Sequence, residues 1–165
     1  MIINKTVLIT GGSNGIGRAT VELFLKNKNK VIVIDKKPLN KKHKNLYFYK
    51  SDLEKTNLIK PLIKKIITKI KKIDILILNA AICPFKEFLK IDEKIFDKVV
   101  NTNQKGVFFL AQEISKIMIN KKIKGKIVFL SSISSIFGGS LQAHYCATKG
   151  AINQIMKSMA ISLGK

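Results

Sequence analysis

Thr6-Val7-Leu8-Ile9-Thr10-Gly11-Gly12-Ser13-Asn14-Gly15-Ile16-Gly17 decides the fold of this chain. Its first five residues are β-branched or apolar, as in a short strand buried on both faces. Four glycines follow at once, and Arg18 to Lys26 then reads as a helix. A strand, a glycine-rich turn and a helix N-terminus together make a phosphate cradle. The glycines admit a close backbone approach, and the helix end offers free N–H groups with a positive dipole. The spacing is Gly-x-x-x-Gly-x-Gly rather than Gly-x-Gly-x-x-Gly. The alternative reading of the stretch is a tight strand-to-helix turn with no ligand.

Outward from this stretch, strands and helices alternate. Lys30 to Ile34 reads as a second strand ending at Asp35, and Leu46 to Lys50 as a third. Leu58, Ile59, Leu62, Ile63, Ile66, Ile67, Ile70 and Ile73 recur at helical spacing with lysines between them. Pro61 belongs in the first turns of that helix or kinks it. Ile73 to Leu78 is an apolar run broken only by Asp74, suited to a central strand. Asp92 to Thr102 and Asn103 to Asn120 read as two helices, Gly125 to Leu130 as a fifth strand and His144 to Leu163 as a last helix. This alternation predicts an α/β fold, a doubly wound parallel sheet, in one domain over 1–165.

The second informative stretch is Ser132 followed by Tyr145-Cys146-Ala147-Thr148-Lys149. Tyr145 and Lys149 share a helix face. An ammonium beside a phenol favours phenolate, and such a tyrosine can pass a proton to or from an alcohol. Ser132, at the end of a predicted strand, can hold the substrate oxygen against the same tyrosine. Tyr-x-x-x-Lys alone also occurs on solvated helix faces.

The chain is strongly basic, with a formal net charge of +21. Arg18 is its only arginine, and the lysines are scattered rather than clustered with aromatics. Geometric phosphate recognition uses the arginine fork. The charge therefore reads as solvated surface, with weak polyanion binding at low salt and no specific nucleic-acid partner. Cys83 and Cys146 have neither CxxC nor zinc spacing and read as free thiols of a reducing compartment. No metal site is expected. The start has no signal-peptide layout and no apolar run reaches membrane-spanning length, which points to a cytoplasmic protein with no membrane partner.

These motifs occur in the order found in the short-chain dehydrogenase/reductases, which the chain resembles: Thr10 to Gly17, Asp35, Asp52-Leu53, Asn79-Ala80-Ala81, Asn103-Gln104-Lys105-Gly106, Ser132, and Tyr145 to Lys149. Ile82 to Leu89, Ser131 to Ser134 with Gly138-Gly139, and His144-Tyr145 are further similar to sugar 1-dehydrogenases of the L-rhamnose dehydrogenase type. The resemblance implies a Rossmann fold and hydride transfer between an alcohol, a sugar being one candidate, and its carbonyl. Tyr145 would be the general acid/base and Lys149 its partner and a nicotinamide-ribose ligand. Ser132 would orient the substrate oxygen, and Asn103 would hold a water near Lys149.

It also implies a cofactor site of Gly11, Ser13, Asn14, Gly15, Ile16, Gly17, Asp35, Asp52, Leu53, Asn79, Ala80 and Ala81, together with Tyr145 and Lys149. Asp35 suits the ribose hydroxyls of NAD, while Lys36 and Lys37 leave room for NADP. Asp52 is otherwise a helix N-cap, and Asn79 a turn asparagine. Ala81 stands where the family has glycine. Asn101 reads as a helix cap, His144 as partly exposed or reaching a substrate hydroxyl, and Cys146 as a packed thiol.

Family members continue past the last helix. The resemblance thus implies a fragment or truncated chain with strand five left as an edge, and a homodimer or homotetramer if the fold is complete. The alternatives are a 3-oxoacyl carrier-protein reductase, which would want a basic residue where Asn14 stands, and an inactive dinucleotide-binding module.

Overall fold

The computed structural model describes residues 2–164. Five parallel strands form one sheet in the order β3-β2-β1-β4-β5: β1 is Thr6–Thr10, β2 Lys30–Asp35, β3 Leu46–Lys50, β4 Ile75–Leu78 and β5 Lys126–Phe129. The helices are α1 (Gly15–Lys26), α2 (Ile59–Ile70), α3 (Glu93–Val100), α4 (Val107–Asn120), α5 (Ser134–Phe137) and α6 (Ala143–Leu163). Every pairing is parallel, with Val7 opposite both Val31 and Ile75.

Alternate residues of the strands enter two separate cores, as strand periodicity requires. Val7, Ile9, Val31, Val33, Ile75 and Ile77 pack with Val21 and Leu25 of α1. Leu8, Ile32, Ile34, Leu76 and Leu78 face the other way, onto α2, α4 and Ile152 of α6. Burial on both faces is why these strands read as unbroken apolar runs. Strand order reverses between β1 and β4, so the crevice outside the carboxyl ends of the strands is the natural ligand position.

Several boundaries differ from the sequence reading. The helix expected from Arg18 begins at Gly15, and α2 starts two residues before Pro61, which therefore sits in the first turn. Ile73 lies beyond α2, where Lys71 at φ +72° has ended the helix, yet it is fully buried. β4 begins only at Ile75, although Asp74 just before it is tied to both neighbouring strands: its N–H donates to the Thr6 carbonyl at 2.8 Å, its carbonyl accepts from Lys126 N at 3.0 Å and its carboxylate accepts from Thr6 N at 2.8 Å. The two helices expected over 92–120 are a single run. A π-helical segment, Asn101–Gly106, joins α3 to α4 and buries Thr102, Asn103 and Gly106. Asp92, expected inside the first helix, is its N-cap and accepts from Ile95 N at 2.8 Å.

Asn29 is fully buried and ties the chain start to the α1–β2 turn. Its Oδ1 accepts from Lys5 N, and its Nδ2 donates to the carbonyls of Ile2, Phe24 and Asn27. Asn29→Ala strands these backbone groups at once. It should destabilise the fold by about 2 kcal/mol, read as a lower urea midpoint at constant m-value. An unchanged midpoint would show that water replaces the amide.

Candidate active site

The carboxyl ends of β1, β2, β3 and β4 open onto one cavity of 410 Å³. Of the residues expected to bind a cofactor, Gly11, Asn14, Gly15, Ile16, Gly17, Asp35, Asp52, Leu53, Asn79, Ala80 and Ala81 line it. Ser13 does not. It is buried behind the turn, where its N–H donates to Asp35 Oδ2 (3.0 Å) and its hydroxyl to the Lys37 carbonyl (2.8 Å). Lys36, Lys37, Ser51, Ile82 and Thr102 also line the cavity. Of these, Ser51 and Thr102 carry no motif and become visible only once the strand ends converge, whereas Ile82 opens the stretch Ile82 to Leu89 singled out in the sequence.

The glycine turn has the shape that a phosphate needs. Asn14 is the extended N-cap of α1 and makes no side-chain capping bond, and the first turn of α1 holds no acidic residue. The N–H groups there remain available to an anion. Gly15 sits at φ +51°, and a Cβ built on it would meet open space. Gly17 is the opposite case: a Cβ there would strike the Gly11 carbonyl, with Asn79 Nδ2 at 2.6 Å. Asn79 holds this turn against β4. Its Nδ2 donates to the carbonyls of Thr10 and Gly11, each at 3.0 Å. The Thr10 hydroxyl in return accepts from Asn79 N and Ala80 N. The cradle thus fits a dinucleotide phosphate.

At the far side of the turn, Asp35 accepts with both oxygens, from Ser13 N and from Lys37 N at 2.9 Å. Its carboxylate is held in place facing the cavity. Asp52 lines the cavity and also accepts from Glu54 N at 3.1 Å, so it serves the following turn as well. Ala81, where glycine was expected, is not among the non-glycine residues with positive φ, so alanine fits without backbone strain.

Beyond Ile82 the chain brings the proton-transfer candidates together. Asn103 is almost completely buried. Its Oδ1 accepts from Ile82 N and its Nδ2 donates to Ile82 O, both at 2.8 Å, with Thr148 Oγ1 at 3.3 Å. The π-helical segment pushes Asn103 into this contact between the strand-four loop and α6. Lys149 Nζ lies 5.6 Å from the Tyr145 ring centroid and donates to the Leu130 carbonyl at 2.6 Å. Burial pulls the Lys149 pKa down, against the opposing pull of the Cys83 thiol. The Ser132 hydroxyl accepts from Ser134 N at 3.2 Å.

One expectation for this region changes. His144 is not partly exposed and cannot face a substrate: it is 2% exposed, and neither ring nitrogen has a hydrogen-bond partner. It shares the inward helix face of Thr148 and Ile152, four and eight residues on, and that face is buried. Asn101, read as a helix cap, is the C-cap of α3 and the first residue of the π-helical segment. Cys83, read as a free thiol, has a contact that the sequence does not show: its thiol lies against Gln142 Oε1 at 3.4 Å. Burial raises the Cys83 pKa first, the Cys146 thiol adds to that, and Lys149 opposes both.

The sequence profile described as "short chain dehydrogenase" matches residues 5–165. An L-rhamnose 1-dehydrogenase (NADP(+)) of Thermoplasma acidophilum is 38% identical over 98% of this chain and 67% of its own length. A 3-oxoacyl-[acyl-carrier-protein] reductase of Rickettsia typhi is 39% identical over 94% of this chain and 65% of its own. A solved short-chain dehydrogenase of Leptospira borgpetersenii with bound NAD+ superposes with a TM-score of 0.93 at 28% identity, over 98% of this chain and 66% of that one. The chain thus spans about two thirds of the length of these relatives.

Proposed function

The chain belongs to the short-chain dehydrogenase family, and we propose that it is an NAD(P)-dependent oxidoreductase that interconverts an alcohol, most favourably the C1 hydroxyl of an aldose, and its carbonyl. The observation that carries this reading is the junction at Ile82. Ile82 lines the glycine-rich cavity and is bonded to Asn103, which contacts Thr148, the neighbour in α6 of Lys149, whose ammonium lies 5.6 Å from the Tyr145 ring. We treat residues 1–165 as one dinucleotide-binding unit.

Nicotinamide, when bound, supplies the two-electron acceptor. Tyr145 takes the alcohol proton, with the Lys149 ammonium 5.6 Å from its ring centroid. The Ser132 oxygen already accepts from a backbone N–H, so its own hydrogen is free to hold the substrate oxygen. Asn103 has spent its amide on Ile82 and Thr148. It therefore acts by keeping the strand-four loop beside α6 rather than by binding a water with its side chain. Gly11, Asn14, Gly15, Ile16 and Gly17 would receive the pyrophosphate, and Asp35 the adenosine ribose. Ser13 acts from behind by fixing Asp35. Asp52 and Leu53 flank the adenine end, and Asn79, Ala80 and Ala81 the nicotinamide ribose.

No helix among the described residues is long and apolar enough to cross a membrane. Two free thiols suit a reducing compartment, and we place the protein in the cytoplasm. Phe108, Ile119, Ile155 and Met159 line an apolar groove between α4 and α6, which suits self-association as a dimer or tetramer. No specific nucleic-acid partner is proposed.

The test is titration with NAD+ and NADP+, then turnover with L-rhamnose and other aldoses. Binding of either cofactor with aldose oxidation is expected. Asp35→Ser should weaken NAD+ binding by about tenfold and leave NADP+ less affected, since a carboxylate favours ribose hydroxyls and repels a 2′-phosphate. The Rickettsia relative favours a second reading, a 3-oxoacyl-thioester reductase. Turnover of an acetoacetyl thioester with NADPH and none with aldoses would select it. Binding of neither cofactor would overturn both.

A further inference from the structure

Gln142 is the N-cap of α6, yet its side chain makes no capping bond to that helix. It is spent elsewhere. Its Oε1 lies 3.4 Å from the Cys83 thiol, 59 residues away in sequence, and its Nε2 donates to Ser134 Oγ at 3.0 Å. Ser134 N in turn donates to the Ser132 hydroxyl at 3.2 Å. A backbone bond runs alongside, from Lys86 N to the Leu141 carbonyl at 2.8 Å. The loop after β4 and the loop after β5 are therefore joined by one continuous line of contacts that ends on Ser132.

We infer that Gln142 is a positioning residue for Ser132, acting through Ser134 and anchored on the Cys83 thiol. The inference rests on the reading of Ser132 as the group that orients the substrate oxygen. A side-chain amide suits this place because it accepts and donates at once. Cys83 can serve as the donor only while protonated. Its burial keeps it so at neutral pH, and the neighbouring Cys146 thiol acts in the same direction. The far end of the line matters because a hydroxyl rotor is directional. With the Ser134 N–H on its oxygen, the Ser132 hydrogen turns towards the cleft, and a shift of Ser134 turns it away.

The test compares Gln142→Leu, which removes both contacts, with Gln142→Glu, whose carboxylate accepts from the Cys83 thiol and the Ser134 hydroxyl. Two readouts are taken on the full chain. The first is the iodoacetamide alkylation rate of Cys83, resolved from Cys146 by peptide mass spectrometry, and it needs no turnover. The second is the kinetics of L-rhamnose oxidation with NAD+, beside NADH affinity.

Gln142→Leu should speed Cys83 alkylation about fivefold and lower kcat about 10-fold or more, with NADH affinity within about twofold, while Gln142→Glu stays near the parent in both. Ser134→Ala breaks the line at its next link and should lower kcat without exposing Cys83. Unchanged alkylation in Gln142→Leu overturns the inference. So does Gln142→Glu behaving like Gln142→Leu, or NADH affinity falling in step with kcat, since either marks a merely structural role. If the parent does not oxidise L-rhamnose, that failure counts against the aldose reading. The alkylation rates then decide the Gln142 line alone.

Discussion

Tyr145→Phe is expected to lower turnover by about 10³-fold while NAD(P) affinity stays within about twofold, because positioned proton transfer contributes about 10²–10⁴-fold. The substitution removes one oxygen and keeps the ring. The Lys149 ammonium, 5.6 Å from the ring centroid, retains its aromatic neighbour and its bond to the Leu130 carbonyl. The phosphate cradle is built by the β1–α1 turn and contains neither residue. Steady-state kinetics beside calorimetric NADH titration measures both quantities. Retained turnover would mean that another group moves the proton. Loss of cofactor binding would make Tyr145 a structural residue of the cradle.

The second large effect is expected at Gly17. A methyl group at this position runs into the Gly11 carbonyl and the Asn79 amide. Both are fixed, since Asn79 Nδ2 is bonded to the carbonyls of Thr10 and Gly11. Neither can yield without opening the turn that joins β1 to α1. Gly17→Ala should destabilise the fold by about 2–3 kcal/mol, lowering Tm by roughly 5–10 °C. It should also reduce NAD(P) affinity by at least about 100-fold, as the N–H groups that face the phosphate lose their common direction. Gly15→Ala serves as the contrast. Its new methyl meets no protein atom, so the stability cost is that of the positive φ alone, about 1–2 kcal/mol. It still projects into the space a phosphate would take, and cofactor affinity should fall. Equal Tm losses in the two variants would contradict this account of the turn.

Part of the site was readable because its signal is local. A β-branched run, a cluster of glycines and a helix start lie within consecutive residues, and the local chemistry of each agrees with the others. Tyr145 and Lys149 are likewise one helical turn apart. The π-helical segment was not readable. Asn101–Gly106 carries no apolar side chain between the periodic runs on either side of it, and nothing local separates two helices from one wound wider. What selects it is long-range: Asn103 must reach the Ile82 backbone and Thr148, and Gly106 packs against the Leu53 carbonyl. His144 was misread for a related reason. The face it occupies on α6 is set by which helices pack there, and polarity alone suggested the surface.

The order of residues already dictates the alternation of strand and helix, the cradle at Gly11 to Gly17 and the residues that stand at each strand end. Backbone propensity, strand period and helix period act over a few residues and leave their marks in order along the chain. Tertiary structure alone decided which of those strand ends meet, how Asp35 is held by Ser13 and Lys37, and how Cys83 comes to touch Gln142. Those contacts follow from the strand order β3-β2-β1-β4-β5, which gathers distant segments at one edge of the sheet. Each such contact depends on the packing of whole elements in two cores, a property that no local stretch of residues carries.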